Sequence, residues 1–269
     1  MKNVCVIGTG ISGSTIASLL SKKYKVDVYE KAKGIGGRSS YRRYLDNFGF
    51  DHGLQYISPK TSKFKKFCYG LQKKRVIKNW QGPHKFNHNK VLENKKHTKL
   101  IGVKGNNAIS KYLLKNINCI FGYELFKIER IKKNWKLSFL NGDVKYYEIL
   151  IISIPFAQSK KLLIKFLPNF FKNKNVKMDA NITVMTVTNK IRNNFSSFLF
   201  DDDVIGWAAK ENSKNRFKHK YDLWTIQSTF KWANKNILKY RSNKKRFTNL
   251  LINRFNKLSK INVNKIYFS

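Results

Sequence analysis

The chain has 269 residues, 42% of them apolar and 14% aromatic, and it carries 55 Lys and Arg against 15 Asp and Glu for a formal charge of +40. Such a chain can bury a real core, which excludes disorder, and no apolar run reaches the roughly 18 residues of a membrane-spanning helix. The basic excess is mostly Lys spread along the whole chain among Asn, Ile, Phe and Tyr, the residues of AT-rich codons. It therefore reads as compositional drift with non-specific adhesion to polyanions, not as a clustered nucleic-acid face.

Val4-Cys5-Val6-Ile7 is a short continuous apolar run, the pattern of a buried parallel strand. Gly8 to Gly13 form a turn, Ser14 to Lys23 a predicted helix, and Val26 to Glu30 a second strand, which completes a β-loop-α-β unit. A Gly- and Arg-rich loop leads into Phe50 to Tyr56, and a helix is predicted over Thr61 to Leu71. Trp80 to His97 is polar and reads as a strand with loops. Asn106 to Asn116 has a helical apolar stripe at Ile109, Leu113 and Leu114. Glu124 to Tyr147 reads as a three-stranded meander broken near Asn134 and at Asn141-Gly142. Ile149 to Ile154 returns to the buried sheet. Residues 182–188, 204–209 and 223–228 are predicted antiparallel strands, followed by a helix bearing Phe247, Leu250, Leu251, Phe255 and Leu258. Three cysteines (Cys5, Cys68, Cys119) form no CxxC and no even framework, which points to the reducing cytoplasm.

The chemistry concentrates near the N-terminus. Gly8, Gly10 and Gly13 form GxGxxG between a strand and a helix. Gly8 permits the tight turn, Gly10 lets backbone approach a pyrophosphate, and Gly13 allows close helix–strand packing, with Ile11 and Ser12 opening the helix. Glu30 ends the second strand, where a carboxylate can accept adenosine ribose hydroxyls and would repel a 2′-phosphate. Gly34-Ile35-Gly36-Gly37-Arg38-Ser39 follows at once. Its glycines turn backbone N–H groups toward phosphate and Arg38 can neutralise charge, which selects FAD over NAD. His84, His88 and His97 lie in a Lys/Asn-rich loop without a carboxylate pattern, so no metal site is assigned. His52 reads as structural, Asn169-Phe170-Phe171 as core, and no catalytic residue is nominated.

At GTGISG (8–13), EKAKGIGGRSS (30–40), FDHGLQYIS (50–58) and IGVKGNNA (101–108) the sequence resembles the renalase-type branch of the FAD-dependent amine oxidase superfamily. GWAAKENSKNR (206–216) and DLWTIQSTFKW (222–232) are similar to later segments of that family. The resemblance implies that Gly8 to Gly13, Glu30 and Lys31 hold the ADP half of FAD, with Gly37 and Arg38 beside the pyrophosphate. It places Gln55 and Tyr56 near the flavin ring and gives Leu125 a backbone contact to adenosine. It implies hydride transfer from a small amine or reduced nicotinamide-type donor. The family's last strand, Gly-Asp pair and closing helix have no counterpart before Ser269. A truncated chain is the expected reading, with a split protein completed by a partner chain and a degenerate, polyanion-binding remnant as alternatives.

The expected fold is α/β, with a Rossmann-like FAD-binding domain (1–60 and 98–160) of parallel sheet and β-meander. A mostly antiparallel α+β substrate domain (61–97 and 161–269) completes it.

Overall fold

A computed structural model describes residues 2–44, 48–86, 90–92, 99–191, 195–263 and 265–268. The chain divides into two compact units, one made of Met1–Ser40 and Asn107–Lys177, the other of Tyr41–Asn106 and Met178–Ser269.

The first unit is a Rossmann-like α/β layer structure. Strand β1 (Asn3–Ile7), helix α1 (Ile11–Leu20) and strand β2 (Lys25–Glu30) open it. The parallel sheet runs in the order Ile149–Ile152, β1, β2, Asn118–Phe121. Because both faces are covered, β1 shows no polar alternation. Val4 and Val6 pack toward α1 with Ala17, Val26, Val28 and Leu114. Cys5 and Ile7 point the other way, into a cluster with Leu125, Ile128, Leu137, Phe139 and Tyr147 from the meander.

The meander strands are Leu125–Ile131, Asn134–Phe139 and Val144–Tyr147, paired antiparallel. The Asn141-Gly142 turn closes as the dipeptide requires. Gly142 adopts φ 90°, and Asn141 Oδ1 accepts from the Asp143 N–H at 3.2 Å. Helix α1 starts three residues before the predicted Ser14, because Gly10 itself serves as the N-cap. The predicted helix over 106–116 is confined to Ala108–Leu113, since Asn106 and Asn107 spend their side chains on loop backbone instead.

The second unit is built on a seven-stranded sheet. Its order is Lys265–Phe268, Thr183–Thr188, Asp222–Ser228, Ile205–Lys210, Ser197–Leu199, His84–Phe86, Lys90–Leu92. All pairings are antiparallel except Ser197–Leu199 with His84–Phe86. Helices Phe230–Ser242 and Lys244–Ser259 begin at side-chain caps, Thr229 Oγ1 accepting from Trp232 N and Asn243 Oδ1 from Arg246 N. Leu251, Ile252 and Phe255 of the second helix bury against Val184, Ala208, Trp224 and Ile226 of the sheet. A further cluster joins Met185, Val187 and Leu223 of the sheet to Phe48 and Phe50. No helix among the described residues is long and apolar enough to cross a membrane.

Candidate dinucleotide site

In the first unit, the loop after β1 turns at Gly8, whose φ of +103° suits glycine, and Gly8 N donates to Tyr29 O at 2.8 Å. A Cβ on Gly13 would stand 2.0 Å from Gly8 O and 2.4 Å from Ser153 Oγ, so the helix can meet the loop this closely only without a side chain. Gly10 differs from both. A Cβ there would meet nothing within 4 Å, so the missing side chain leaves open space beside the start of α1. That helix has no side-chain cap and no acidic residue in its first turn. Its first N–H groups have no carbonyl one turn back and are left to an incoming acceptor.

The second glycine turn joins the first. Gly37, at φ +51°, would place a Cβ 3.2 Å from Gly10 Cα, and Gly36, at φ +134°, would place one 2.7 Å from Asn107 Cβ. Asn107 Nδ2 donates to Ile35 O at 3.1 Å and so fixes the turn from beneath. Glu30 is buried at the end of β2. Its Oε2 accepts from Thr9 N at 2.9 Å and Thr9 Oγ1 at 2.7 Å, and its Oε1 accepts from Ala32 N at 3.0 Å. Gly36 N reaches Thr9 Oγ1 at 3.4 Å, so Thr9 straps together the first loop, the carboxylate and the second turn. Tyr123 N donates to Glu30 O at 3.0 Å, which brings the strand that starts at Leu125 alongside. A carboxylate has about four acceptor sites, and three are used here.

Gly8, Gly10, Ile11, Ser12, Gly13, Glu30, Lys31, Gly37, Arg38 and Leu125 thus all belong to the first unit. Ile11, Ser12, Lys31, Gly37 and Arg38 are exposed, whereas Leu125 is buried in the meander cluster and Lys31 pairs with Glu124 at 3.8 Å. The motif reading did not single out Thr9, Asn107 and Ser153. Asn107 lies within the quoted GNNA segment, but its role needs the fold.

Gln55 and Tyr56 belong to the second unit. Gln55 is buried, with Nε2 donating to the Asp51 and Gly53 carbonyls and Oε1 without a partner among the described residues. Tyr56 packs against Trp80 and Trp207, at 6.4 and 5.6 Å between centroids. The loop bearing them hangs on a buried polar cluster. Asn106 Nδ2 donates to the Leu54 and Gln55 carbonyls at 2.6 and 3.0 Å. Asn106 N donates to Asp51 Oδ1 at 2.9 Å. Asp51 Oδ2 accepts from Lys214 Nζ at 2.8 Å and Arg216 Nη1 at 2.5 Å. Lys214 also donates to Glu211 Oε1 at 3.0 Å, which accepts in addition from Thr225 Oγ1 at 2.7 Å.

His84 is buried on the same unit, its Nδ1 2.6 Å from Ser197 Oγ and its ring edge-on to Trp80. His88 and His97 lie outside the described residues. Burial, helped by the charge of Lys99, pushes the His84 imidazole down from 6.5 to about 4. A histidine depressed on folding contributes stability that is present above its ordinary pKa and lost as pH falls through the window between the two values. Urea unfolding of His84→Gln between pH 7 and pH 4 should therefore lose stability less steeply than the parent. His52, which burial and Arg42 also depress, contributes to the slope that remains. An unchanged slope would remove His84 from the account.

The first unit has the Rossmann-like fold with its glycine turns, and a family model described as an NAD(P)-binding Rossmann-like domain matches residues 6–69. Solved structures extend the likeness over the chain. A putative protoporphyrinogen oxidase from Exiguobacterium sp. 255-15 superposes with a TM-score of 0.74 at 9% identity, covering 100% of this chain and 86% of that one. An oxidoreductase from Methanosarcina mazei gives 0.71 at 12% identity, with 99% and 88% covered. Putrescine oxidase, wild type bound to putrescine, gives 0.63 at 9% identity, with 88% and 77% covered. At these identities the likeness is one of fold.

Proposed function

We propose that the chain is an FAD-dependent oxidoreductase that takes hydride from a small amine or reduced nicotinamide-type donor. One observation carries the reading. Two glycine turns meet at Gly10 and Gly37 and leave open space at Gly10, beside an uncapped helix start and a buried carboxylate. A single fingerprint serves NAD as well. The second turn adds backbone donors and the exposed Arg38 next to the first, and the resemblance of its EKAKGIGGRSS segment to FAD-dependent proteins supports FAD. When bound, the flavin supplies the hydride acceptor.

The chain's own residues hold the cofactor. The N–H groups of Ile11 and Ser12 at the start of α1 would donate to phosphate oxygens. Glu30 keeps one acceptor position for a ribose hydroxyl, and Thr9 Oγ1 can yield a second. Glu30 also repels a 2′-phosphate, so NADP is a poor ligand. Asn107 and Thr9 keep both turns in place before any ligand arrives, which limits the ordering cost of binding. The renalase-type resemblance of FDHGLQYIS and GNNA supports an assignment to that branch.

Gly10→Val tests the site. A Cβ at Gly10 meets nothing within 4 Å, so the stability loss should be limited to the ~1 kcal/mol of a less favourable N-cap residue. Titration with FAD and with ADP should both weaken, by about a hundredfold or more, since two or more charge-assisted hydrogen bonds are blocked. Undiminished binding of both ligands, or tight NAD binding with no affinity for FAD in the parent, would overturn the reading.

A further inference from the structure

We infer that the segment from Phe156 to Lys177 is a lipid-docking ridge that seats the first unit on an anionic membrane surface. Helix Phe156–Leu163, the turn after it and the short helix Pro168–Lys172 split their apolar residues between two sides. Leu162, Phe166 and Phe171 face inward. Leu162 is buried, Phe166 packs edge-on to Trp135 at 5.0 Å, and Phe171 packs on Phe156 at 5.5 Å with 2% exposure. Ile164, Leu167, Phe170 and Val176 face outward, each between two-fifths and just over half exposed, Phe170 at 52%. The sequence reading of Asn169-Phe170-Phe171 as core thus holds for one ring and fails for its neighbour.

Large apolar residues this exposed, recurring along one segment, mark an interaction surface. Its frame identifies the partner. Lys160, Lys161, Lys165, Lys172, Lys174 and Lys177 flank the ridge, and no acidic residue occurs between Glu148 and Asp179. Lys174 lies over the outward Phe170 ring at 5.8 Å, so its ammonium sits beside the apolar surface. A second copy of this face would bring lysines against lysines with no carboxylate to answer them. Nucleic acid is recognised by Arg and by stacking rings, whereas this segment has no Arg and offers mainly aliphatic side chains. Aliphatic and aromatic residues that enter the headgroup region, ringed by Lys that reaches phosphate, are the chemistry of an interfacial anchor.

The test is co-sedimentation with phosphatidylcholine vesicles, with and without about 30 mol% phosphatidylglycerol. The general charge of the chain makes some salt-sensitive adhesion inevitable, so the apolar contribution decides. Leu167→Ser/Phe170→Ser keeps every Lys and removes only exposed groups, and its melting temperature should match the parent. It should bind the anionic vesicles about tenfold more weakly. Leu238→Ser, at a 73% exposed apolar residue of the other unit, should bind like the parent. Phe170→Trp should gain emission that brominated lipid quenches beyond the parent's background. Equal vesicle binding by the double variant and the parent would overturn the inference. So would binding indifferent to phosphatidylglycerol, a preference for RNA abolished by the double variant, or a concentration-dependent dimer that the double variant dissolves.

Discussion

Gly13→Ala is expected to damage both stability and nucleotide binding, whereas Gly10→Ala at the neighbouring fingerprint glycine costs no more than a weaker N-cap. The two positions share a motif and differ in what surrounds them. The added methyl at Gly13 would stand 2.0 Å from Gly8 O and 2.4 Å from Ser153 Oγ. Ser153 cannot step aside cheaply, because its hydroxyl donates to Ile7 O at 2.7 Å and its N–H pairs with the same carbonyl at 3.0 Å. Gly8 cannot rotate away either, held at φ +103° with its N–H on Tyr29 O. Relief requires α1 to lift from the sheet, which opens the cluster of Val4, Val6, Ala17 and Val28. Overpacking of this kind costs about 3 kcal/mol. The displaced helix also carries its N–H groups away from the phosphate position, so ADP affinity should fall with stability. Thermal melts with and without ADP check both effects. A Gly13→Ala protein that melts and binds like the parent would show that α1 does not pack as described.

How much of this was legible in the sequence depends on how local each cause is. The strands of the first unit could be read because burial on both faces leaves unbroken apolar runs such as Val4 to Ile7 and Ile149 to Ile152. The Asn141-Gly142 turn could be read because its two residues determine its geometry. Strand Asn118–Phe121 was missed. It has four residues and none of them is fully buried, so it owes its place to β2 beside it, with Asp27 to Glu30 in register. Helix Phe230–Ser242 was missed for the opposite reason. Its most conspicuous apolar residues, Phe230 and Leu238, are exposed, and the only buried residue is Ala233. The glycine fingerprint was legible, but its supports were not. Ser153 meets Gly8 from 145 residues away and Asn107 meets Ile35 from 72, and no window of sequence contains both partners. The same distance hid the charge cluster of the second unit, where Asp51 meets Lys214 across 163 residues.

That cluster gives the largest effect expected in the second unit. Asp51→Asn should cost about 3–5 kcal/mol, because it leaves two buried cations short of a partner. Lys214 and Arg216 both bond Asp51 Oδ2, and both side chains are almost wholly buried. Burial pushes the Asp51 carboxyl up, but the charges of Lys214 and Arg216 outweigh it and hold the group below the usual carboxylate range. Its stabilisation is therefore present above the ordinary carboxylate pKa and lost as pH falls through the depressed one. Glu211 has the opposite sign. Burial, with the Asp51 charge added, raises its carboxyl despite Lys214. Its contribution is greatest below the ordinary value and lost as pH rises through the raised one. Glu211→Gln keeps an acceptor for Thr225 Oγ1 and Lys214, so it should cost only about 1–2 kcal/mol. Its penalty should shrink as pH rises, while that of Asp51→Asn grows from acid to neutral pH. Because Asp51 also receives the Asn106 N–H, and Asn106 holds the Leu54 and Gln55 carbonyls, Asp51→Asn should loosen the Gln55–Tyr56 loop as well. Hydrogen exchange at Leu54 to Tyr56 reads that loosening, and urea melts from pH 4 to pH 8 read the two slopes. Equal penalties for both variants at every pH would sink the assignment of opposite roles to the two carboxylates.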